Sequence, residues 1–278
     1  MKIYKTNTGI LIESEESIHA SKYKSWDSFL NQDNLYQSVE SEIAGKKALG
    51  TIDLLNDFAI QAPIDNQEIW AAGVTYTRSR DARMEESKDS GGGSFYDKVY
   101  DAVRPELFFK ATPNRCVGPG EKVRIRKDST WNVPEPELTL VINNKGNIIG
   151  YTVGNDMSSR SIEGENPLYL PQAKSYDGSA AIGPCVYVPS TPISPETKIS
   201  MQIIRNSVVM YSDEVAINKM KRGHSELVEF LFRECSFPNG CLLMTGTCLV
   251  PPNDFTLLSG DEIIIRIDNI GTLKNFVE

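Results

Sequence analysis

Pro134-Glu135-Pro136-Glu137-Leu138-Thr139-Leu140-Val141-Ile142 is the stretch of this sequence that decides most about its fold. A turn, Asn143-Asn144-Lys145-Gly146, follows it and leads into a second apolar run from Ile148 to Asp156. Two apolar runs rich in β-branched residues and joined by such a turn predict a β-hairpin. Side chains alternate along a strand, so Glu135 and Glu137 project from one face while the leucines project from the other.

The two glutamates are the first candidate functional residues. Like charges at this spacing repel, which is unfavourable unless a cation lies between them, and oxygen ligands suit Mg²⁺, with Mn²⁺ or Ca²⁺ as substitutes. Asp156 is the candidate third ligand. A two-residue loop places Asp156 on the face of Glu135, whereas a three-residue loop with a bulge at Gly146 reverses that parity. The sequence leaves the choice open, and an isolated Glu-x-Glu pattern is more often an exposed polar face.

Strand patterns dominate the chain beyond residue 64, and helical periodicity is confined chiefly to short segments such as Thr77–Glu86. This unequal mixture predicts an α+β fold built on mostly antiparallel sheet. A proline within a polar segment predicts a boundary between a small N-terminal α/β domain, residues 1–63, and a larger β-rich domain, residues 64–278. In the small domain, Asn34 is expected to cap a helix that runs from Leu35 to Ala48.

The composition excludes several classes of protein. The 278 residues include 29 Lys and Arg against 37 Asp and Glu, for a formal net charge of −8. Nucleic-acid affinity depends on Lys and Arg contacts to phosphates, so we expect no nucleic-acid partner. The sequence contains no apolar run near the ~18 residues of a membrane span and no signal-peptide pattern, so we expect a cytoplasmic protein with no membrane association. Five scattered cysteines without a CxxC pair predict reduced thiols.

Several segments, in order along the chain, resemble the fumarylacetoacetate hydrolase superfamily. They are Pro134–Leu138, Gly150–Arg160, Gln172–Asp177 with Gly183-Pro184, and Ile270–Leu273. The resemblance implies that the larger domain is catalytic and that Glu135, Glu137 and Asp156 hold Mg²⁺ beside Lys174. It also implies a homo-oligomer, either a homodimer or a homotetramer.

One departure from the hydrolase pattern points to another reaction. Hydrolases of the family carry a water-activating histidine after the strand that corresponds to Ile69–Gly73, and the stretch Val74–Arg83 contains none. The segments Thr245–Pro252 and Glu163–Pro171 look most like the 2-keto-3-deoxy-D-arabinonate dehydratase branch, where a glutamate matching Glu106 works with the lysine. The resemblance therefore implies a metal-dependent dehydratase that converts a 2-keto-3-deoxy pentonate to a semialdehyde such as 2-oxoglutarate semialdehyde.

Such a dehydration needs a base for the C3 proton and an acid for the C4 hydroxyl. Lys174 is favoured as the base and Glu106 as the acid, and the reverse assignment stays open. The expected partner is a small anionic 2-oxoacid, with these candidate substrate contacts: Tyr76, Ser79, Arg83 and Thr272. Alternative readings are a hydrolase of acylpyruvates or fumarylacetoacetate-type compounds, an oxaloacetate decarboxylase, or a metal-binding scaffold without activity.

Overall fold

The Glu-x-Glu segment leads into a central strand of a large mixed sheet. The computed structural model describes residues 1–86 and 93–278, without the side chains of residues 82, 83, 85, 86 and 93–96. Its strands are β1 (Lys2–Thr6), β2 (Gly9–Ser14), β3 (Ser17–Ala20), β4 (Gly50–Thr51), β5 (Glu68–Gly73), β6 (Glu106–Ala111), β7 (Cys116–Val117), β8 (Lys122–Val123), β9 (Asn132–Val133), β10 (Pro136–Ile142), β11 (Ile148–Asp156), β12 (Ser158–Ser159), β13 (Ala180–Tyr187), β14 (Lys198–Arg205), β15 (Val208–Ala216), β16 (Cys241–Met244), β17 (Glu262–Ile267) and β18 (Gly271–Val277). Its α-helices are α1 (Trp26–Leu30), α2 (Leu35–Ile43), α3 (Thr77–Glu86), α4 (Gly93–Asp101), α5 (Arg160–Glu165), α6 (Leu170–Lys174) and α7 (His224–Phe232).

Eleven of these strands form the large sheet, in the order β4-β3-β2-β1-β13-β11-β10-β16-β5-β6, with β7 paired to β13. A second sheet has the order β15-β14-β17-β18-β8, and β9 and β12 form a small two-stranded sheet. Three neighbouring pairs are parallel, namely β5 with β16, β7 with β13 and β8 with β18, and the other pairs are antiparallel. The predicted α+β fold on mostly antiparallel sheet is therefore confirmed.

Strand β10 is buried on both faces along its whole length. Leu138 and Leu140 contribute to a core shared with β14 and β17 of the five-stranded sheet. Val141 contributes to a second core on the opposite face, which helices α1 and α2 close with Phe29 and Val39. A strand covered on both faces is apolar at almost every position. This explains why polar and apolar residues do not alternate regularly in the segment after Glu137.

The hairpin between β10 and β11 contains two irregularities that cancel. Its loop has three residues, Asn144 to Gly146, and Gly146 adopts a φ of 78°. A β-bulge between Val141 and Ile142 adds a second shift of register. Each shift alone would turn the following side chains to the other face of the sheet, so two shifts restore the original parity. Glu135 consequently lies opposite Asp156, whose N–H donates to the Glu135 carbonyl at 2.9 Å.

The first sixty residues extend the large sheet, because β1 pairs with β13. The division into residues 1–63 and 64–278 stays a prediction, but the two parts share this sheet and one core. Asn34 caps helix α2 as predicted, and its Oδ1 accepts a hydrogen bond from the Gln37 N–H at 3.1 Å. The helix ends at Ile43, before the predicted Ala48, because Gly45 takes a left-handed φ of 71°.

Among the residues that the structure describes, no helix combines the length and the apolar character needed to cross a membrane. The five cysteines are free thiols. Cys185, Cys241 and Cys248 are buried and Cys116 is half-buried, whereas Cys235 is exposed. Burial raises the pKa of Cys185 to about 12, so this thiol stays protonated in the core.

Candidate active site and metal centre

Glu135, Glu137 and Asp156 meet at one end of the large sheet. All three are buried, and a carboxylate oxygen from each lies within 4.8 Å of the others. Antiparallel pairing produces this arrangement, because it brings the start of β10 beside the end of β11. Buried carboxylate oxygens at such distances suit Mg²⁺ or a similar hard cation. The structure thus brings together the three residues predicted as metal ligands.

Three buried cationic side chains contact these carboxylates. Lys174 Nζ lies 2.6 Å from Glu135 Oε2 and 3.2 Å from Asp156 Oδ2. Lys110 Nζ lies 2.6 Å from Asp156 Oδ1. Arg160 Nη2 donates to Glu135 Oε1 at 2.9 Å. An unpaired buried charge is strongly unfavourable, so these ion pairs are what make the burial of the acidic cluster tolerable.

Lys174, the predicted catalytic lysine, ends helix α6 and has no exposed surface. Its ammonium also donates to Ser158 Oγ and lies 3.3 Å from Glu163 Oε1. The ring of Phe108 covers it, with the ring centre 5.8 Å from Nζ. Lys174 is therefore held among oxygen atoms of side chains, directly beside two predicted metal ligands. From this place it can exchange a proton with a molecule bound at the metal.

Glu137 is held by the chain that follows β16. The Gly246 N–H donates to Glu137 Oε2 at 2.6 Å. Gly246 adopts a φ of 97°, and a side chain there would also collide with Thr75. Burial raises the pKa of Glu137 well above its ordinary value, and the nearby Asp156 and Glu135 carboxylates raise it further. A cation at this point opposes that shift, because it favours the ionised carboxylate.

Strand β6 brings Glu106 to the same end of the sheet. Glu106 lies opposite Gly73 of β5, and a Cβ atom at position 73 would come within 2.5 Å of the Glu106 Cδ. The absence of a side chain at Gly73 therefore leaves the space that this carboxylate occupies. Gly73 and Phe108 line the same small pocket as Glu135, Glu137 and Asp156. Glu106 and Lys174 thus both adjoin residues that line this pocket.

The loop after β5 and the first turn of α3 supply two more of the predicted residues, Tyr76 and Ser79. Ser79 lines the pocket, and its Oγ donates to the Tyr76 carbonyl at 2.8 Å. Tyr76 is 1% exposed, and its hydroxyl has no hydrogen-bond partner among the described residues. Val74, also on the pocket wall, has a φ of 53°, which is rare for a β-branched residue. Backbone strain of this kind is frequent at functional sites.

The remaining predicted substrate contacts are Arg83 and Thr272. Arg83 falls within helix α3, and its side chain lies outside the described residues. Thr272 lies exposed on β18, opposite Arg266 of β17. Alternation along β18 directs Leu273 into the core and Thr272 to the outer face of the five-stranded sheet. The acidic cluster lies on the other sheet, so the structure separates Thr272 from it.

Two buried residues of the site were not predicted from the sequence, Lys110 and Glu163. Lys110 is the single lysine in the apolar segment Leu107–Ala111. Because a buried lysine usually has a partner, this position in the sequence could have indicated a buried ion pair. Glu163 lies in a polar segment and carried no such signal. Arg160 is also buried at the site and forms an ion pair with Glu135.

Residues 68–278 match the family model of the fumarylacetoacetate (FAA) hydrolase C-terminal domain, and the chain belongs to this family. Within it, the chain is 51% identical over 226 residues to a probable 2-keto-3-deoxyxylonate dehydratase of Haloferax volcanii, covering 81% of this chain and 77% of that protein. It is 46% identical over 221 residues to the 2-dehydro-3-deoxy-D-arabinonate dehydratase of Saccharolobus solfataricus, covering 79% of this chain and 74% of that protein. These matches confirm the resemblance predicted from the sequence.

Solved structures agree with this placement. A hexagonal crystal form of 2-keto-3-deoxyarabinonate dehydratase superimposes with a TM-score of 0.83 at 38% identity, covering 100% of this chain and 98% of that chain. The same type of enzyme in complex with magnesium and 2,5-dioxopentanoate gives a TM-score of 0.82 at 36% identity, covering 100% and 99%. The whole chain, including its first sixty residues, therefore follows the fold of these dehydratases.

Proposed function

We propose that this protein is a metal-dependent hydro-lyase that dehydrates a 2-keto-3-deoxy pentonate, such as 2-keto-3-deoxy-D-arabinonate, to a semialdehyde such as 2-oxoglutarate semialdehyde. One observation carries the proposal: Lys174 Nζ contacts Glu135 and Asp156, so a proton-transferring amine lies beside a site for a divalent cation. Relatives named as dehydratases of such acids support the substrate class. One related enzyme binds 2,5-dioxopentanoate, which is the same compound as 2-oxoglutarate semialdehyde.

Mg²⁺ fits the residues present, and Glu135, Glu137 and Asp156 would hold it. These three carboxylates are buried together, and a divalent cation would offset the charge repulsion between them. When bound, the metal supplies Lewis-acid stabilisation of the negative charge that develops on the keto oxygen of the substrate. Mn²⁺ and Ca²⁺ also prefer oxygen ligands.

Lys174 and Glu106 divide the proton transfers. In the proposed reaction Lys174 takes a proton from C3, and Glu106 donates one to the C4 hydroxyl, which leaves as water. The C3–H and C4–O bonds break while the C3–C4 double bond forms. A proton shift from C5 to C3 then gives the C4–C5 enol, and transfer of the enol hydroxyl proton to C4 yields the aldehyde, so the net change is the loss of one water. A well-placed acid or base of this kind contributes about 10²–10⁴ in rate.

The pocket wall favours elimination over hydrolysis. The chain has two histidines, His19 and His224, and neither lines the pocket. Ser79 does line it, and its hydroxyl is hydrogen-bonded to the main chain of Tyr76. A serine hydroxyl is a far weaker base than an imidazole and is poorly suited to activating water. Elimination requires no attacking water, so the same residues are sufficient for it.

Substrate contacts complete the proposal. The Tyr76 hydroxyl, buried without a partner among the described side chains, is suited to bind a polar group of the substrate. Ser79 offers a second hydroxyl on the pocket wall. Arg83 stays a proposed contact for the substrate carboxylate. The exposed position of Thr272 on the other sheet provides no support for a direct contact.

A substrate panel tests the proposed reaction. The purified enzyme with Mg²⁺ is offered 2-keto-3-deoxy-D-arabinonate, its C4 epimer, an acylpyruvate and oxaloacetate, and aldehyde formation is followed with a coupled aldehyde dehydrogenase. We expect turnover of a 2-keto-3-deoxy acid, and EDTA should abolish it. Efficient cleavage of the acylpyruvate or decarboxylation of oxaloacetate, with both 2-keto-3-deoxy acids untouched, would establish the alternative activity instead.

Variants of the acid–base pair provide a second test. Lys174→Ala and Glu106→Gln should each lower kcat by about 10²-fold or more, because both groups act on the transition state. Neither is a proposed ligand, so Mn²⁺ binding should be retained. Lys198→Ala is the matched control, since Lys198 forms an exposed ion pair with Glu214 on the other sheet. A kcat near that of the unmodified enzyme in both variants would contradict the assignment.

We also propose that the active form is a homodimer or homotetramer in the cytoplasm. This rests on the family resemblance, in which homo-oligomers are expected. Light scattering at micromolar concentration measures the mass directly. A mass equal to that of one 30.9 kDa chain would refute the oligomer without affecting the proposed chemistry.

A further inference from the structure

Lys110 is a second fully buried lysine at this site, and the proposed reaction assigns it no proton to transfer. We infer that Lys110 is a positioning residue that holds the metal ligand Asp156 and the main chain of Lys174 in a defined relative position. This inference rests on the proposed function, because it assigns a role in the same reaction. It concerns how the acid–base machinery is assembled, and Lys110 itself need not touch the substrate.

The Lys110 ammonium contacts one carboxylate and two main-chain carbonyls. Its Nζ lies 2.6 Å from Asp156 Oδ1 and donates to the Met157 carbonyl at 2.9 Å. It also donates to the main-chain carbonyl of Lys174. Two of these acceptors belong to the backbone, and together they link the end of β11 to the end of α6.

A second bond makes this link reciprocal. The Ser175 hydroxyl donates to the Lys110 carbonyl at 2.7 Å, while the Lys110 side chain donates to the carbonyl of the preceding residue, Lys174. The pairing of β5 and β6 shifts at this point, where Ile69 lies opposite Ala111 but Trp70 lies opposite Phe109, leaving Lys110 as the extra residue. A β-bulge can redirect a side chain next to an active site. The strand is thus adapted locally to place this lysine.

Lys174 differs from Lys110 in the kind of acceptor it contacts. Lys174 Nζ contacts side-chain oxygens of four described residues: Glu135, Asp156, Ser158 and Glu163. Side-chain acceptors can reorient when a substrate arrives, whereas backbone carbonyls within packed elements move little. The geometry therefore separates a lysine able to transfer a proton from a lysine that fixes its surroundings.

Removal of the Lys110 ammonium should lower kcat by misplacing Lys174 and Asp156. Residues that orient metal ligands from outside the ligand set typically change affinity or activity by about 10–100-fold, and we expect a kcat loss in this range for Lys110→Ala. The metal dissociation constant of each variant is measured first with Mn²⁺ by electron paramagnetic resonance. Assays are then run at a metal concentration that saturates each variant, so that the kcat loss is independent of metal affinity.

Amine rescue distinguishes positioning from proton transfer. In Lys110→Ala, added ethylammonium can restore the three N–H donors, so the recovered rate should follow the concentration of the protonated amine. Tetramethylammonium, which has no N–H donor, is the control and should restore nothing. In Lys174→Ala, recovery should instead follow the free amine and increase with pH, because a base is being replaced. The pH profile of kcat in rescued Lys110→Ala should keep the shape of the unmodified enzyme.

Several outcomes would overturn the inference. A kcat for Lys110→Ala within threefold of the unmodified enzyme would do so, and so would a rescue that follows the free amine. Lys110→Gln, which keeps two N–H donors, is assayed in parallel and replaces Lys110→Ala if that variant does not fold; its kcat should also fall at saturating metal. An unmodified enzyme that fails to dehydrate any 2-keto-3-deoxy acid would instead refute the proposed function, so the two failures are distinguishable.

Discussion

Replacing Gly73 with alanine tests whether the position of Glu106 controls the rate. Gly73 lies opposite Glu106 in the β5–β6 pair, and a Cβ atom at position 73 would lie 2.5 Å from the Glu106 Cδ. Non-bonded carbon atoms approach to about 3.5 Å, so Gly73→Ala should move the carboxylate by about 1 Å. The moving group is the end of a flexible side chain, so the strand itself can stay in place.

We expect Gly73→Ala to lower kcat and to leave the free energy of unfolding nearly unchanged. A misplacement of about 1 Å can cost about 10²-fold in rate, and we expect kcat for 2-keto-3-deoxy-D-arabinonate to fall by about this factor. Gly73 does not have a positive φ. Alanine at such a position changes the free energy of unfolding by about 1 kcal/mol or less, partly through the unfolded state. Steady-state kinetics and urea unfolding of the same preparation measure the two effects separately.

Gly50→Ala is the matched control. Gly50 lies on β4 at the far edge of the large sheet, and a Cβ there would make ordinary contacts with Leu54 at 3.4 Å or more. This variant should keep both kcat and stability. A Gly73→Ala enzyme with unchanged kcat would show that the position of Glu106 does not limit the reaction. A large loss of stability together with kcat would show that the strand, and not only the carboxylate, had moved.

Three further perturbations test other parts of the site and fold. Glu137→Ala should weaken Mn²⁺ binding sharply in calorimetric titration, since it removes one of three buried oxygen ligands, and undiminished affinity would refute the metal site. Tyr76→Phe should raise KM because it removes the buried hydroxyl, whereas Thr272→Ala on the outer face of the other sheet should leave KM unchanged. Equal changes of KM in the two variants would contradict the proposed substrate contact of Tyr76. Burial lowers the pKa of His224, so the unfolded state binds more protons below about pH 6.5 and the stability of the fold should decrease as the pH decreases. Between pH 7.5 and pH 5.5, urea unfolding should show a smaller loss of stability for a His224→Gln variant than for the unmodified protein. An equal loss would assign the pH effect to other groups.

Local patterns in the sequence were sufficient to predict many elements of this protein. Helix α3 spans Thr77–Glu86 as predicted, and Asn34 caps α2 because its side chain acts within the same turn of the chain. The ligand set was also predictable in part, since strand periodicity places Glu135 and Glu137 on one face. Such features depend on residues a few positions apart, and these are adjacent in the sequence as well as in space.

Tertiary structure decided which distant residues meet. The face of Asp156 depends on two shifts of register, and one of them arises within β11, where Ile149 is an extra residue that the turn sequence does not predict. The pairing of Lys110 with Asp156 joins strands that are not neighbours in the sheet, and each group compensates the cost of burying the other. Strand β1 likewise pairs with β13, which is distant in the sequence, and residues of both strands are buried in the same core. The sequence alone therefore determined which kinds of functional side chain the site contains and their order along the chain. Packing between distant segments determined the geometry in which these side chains act.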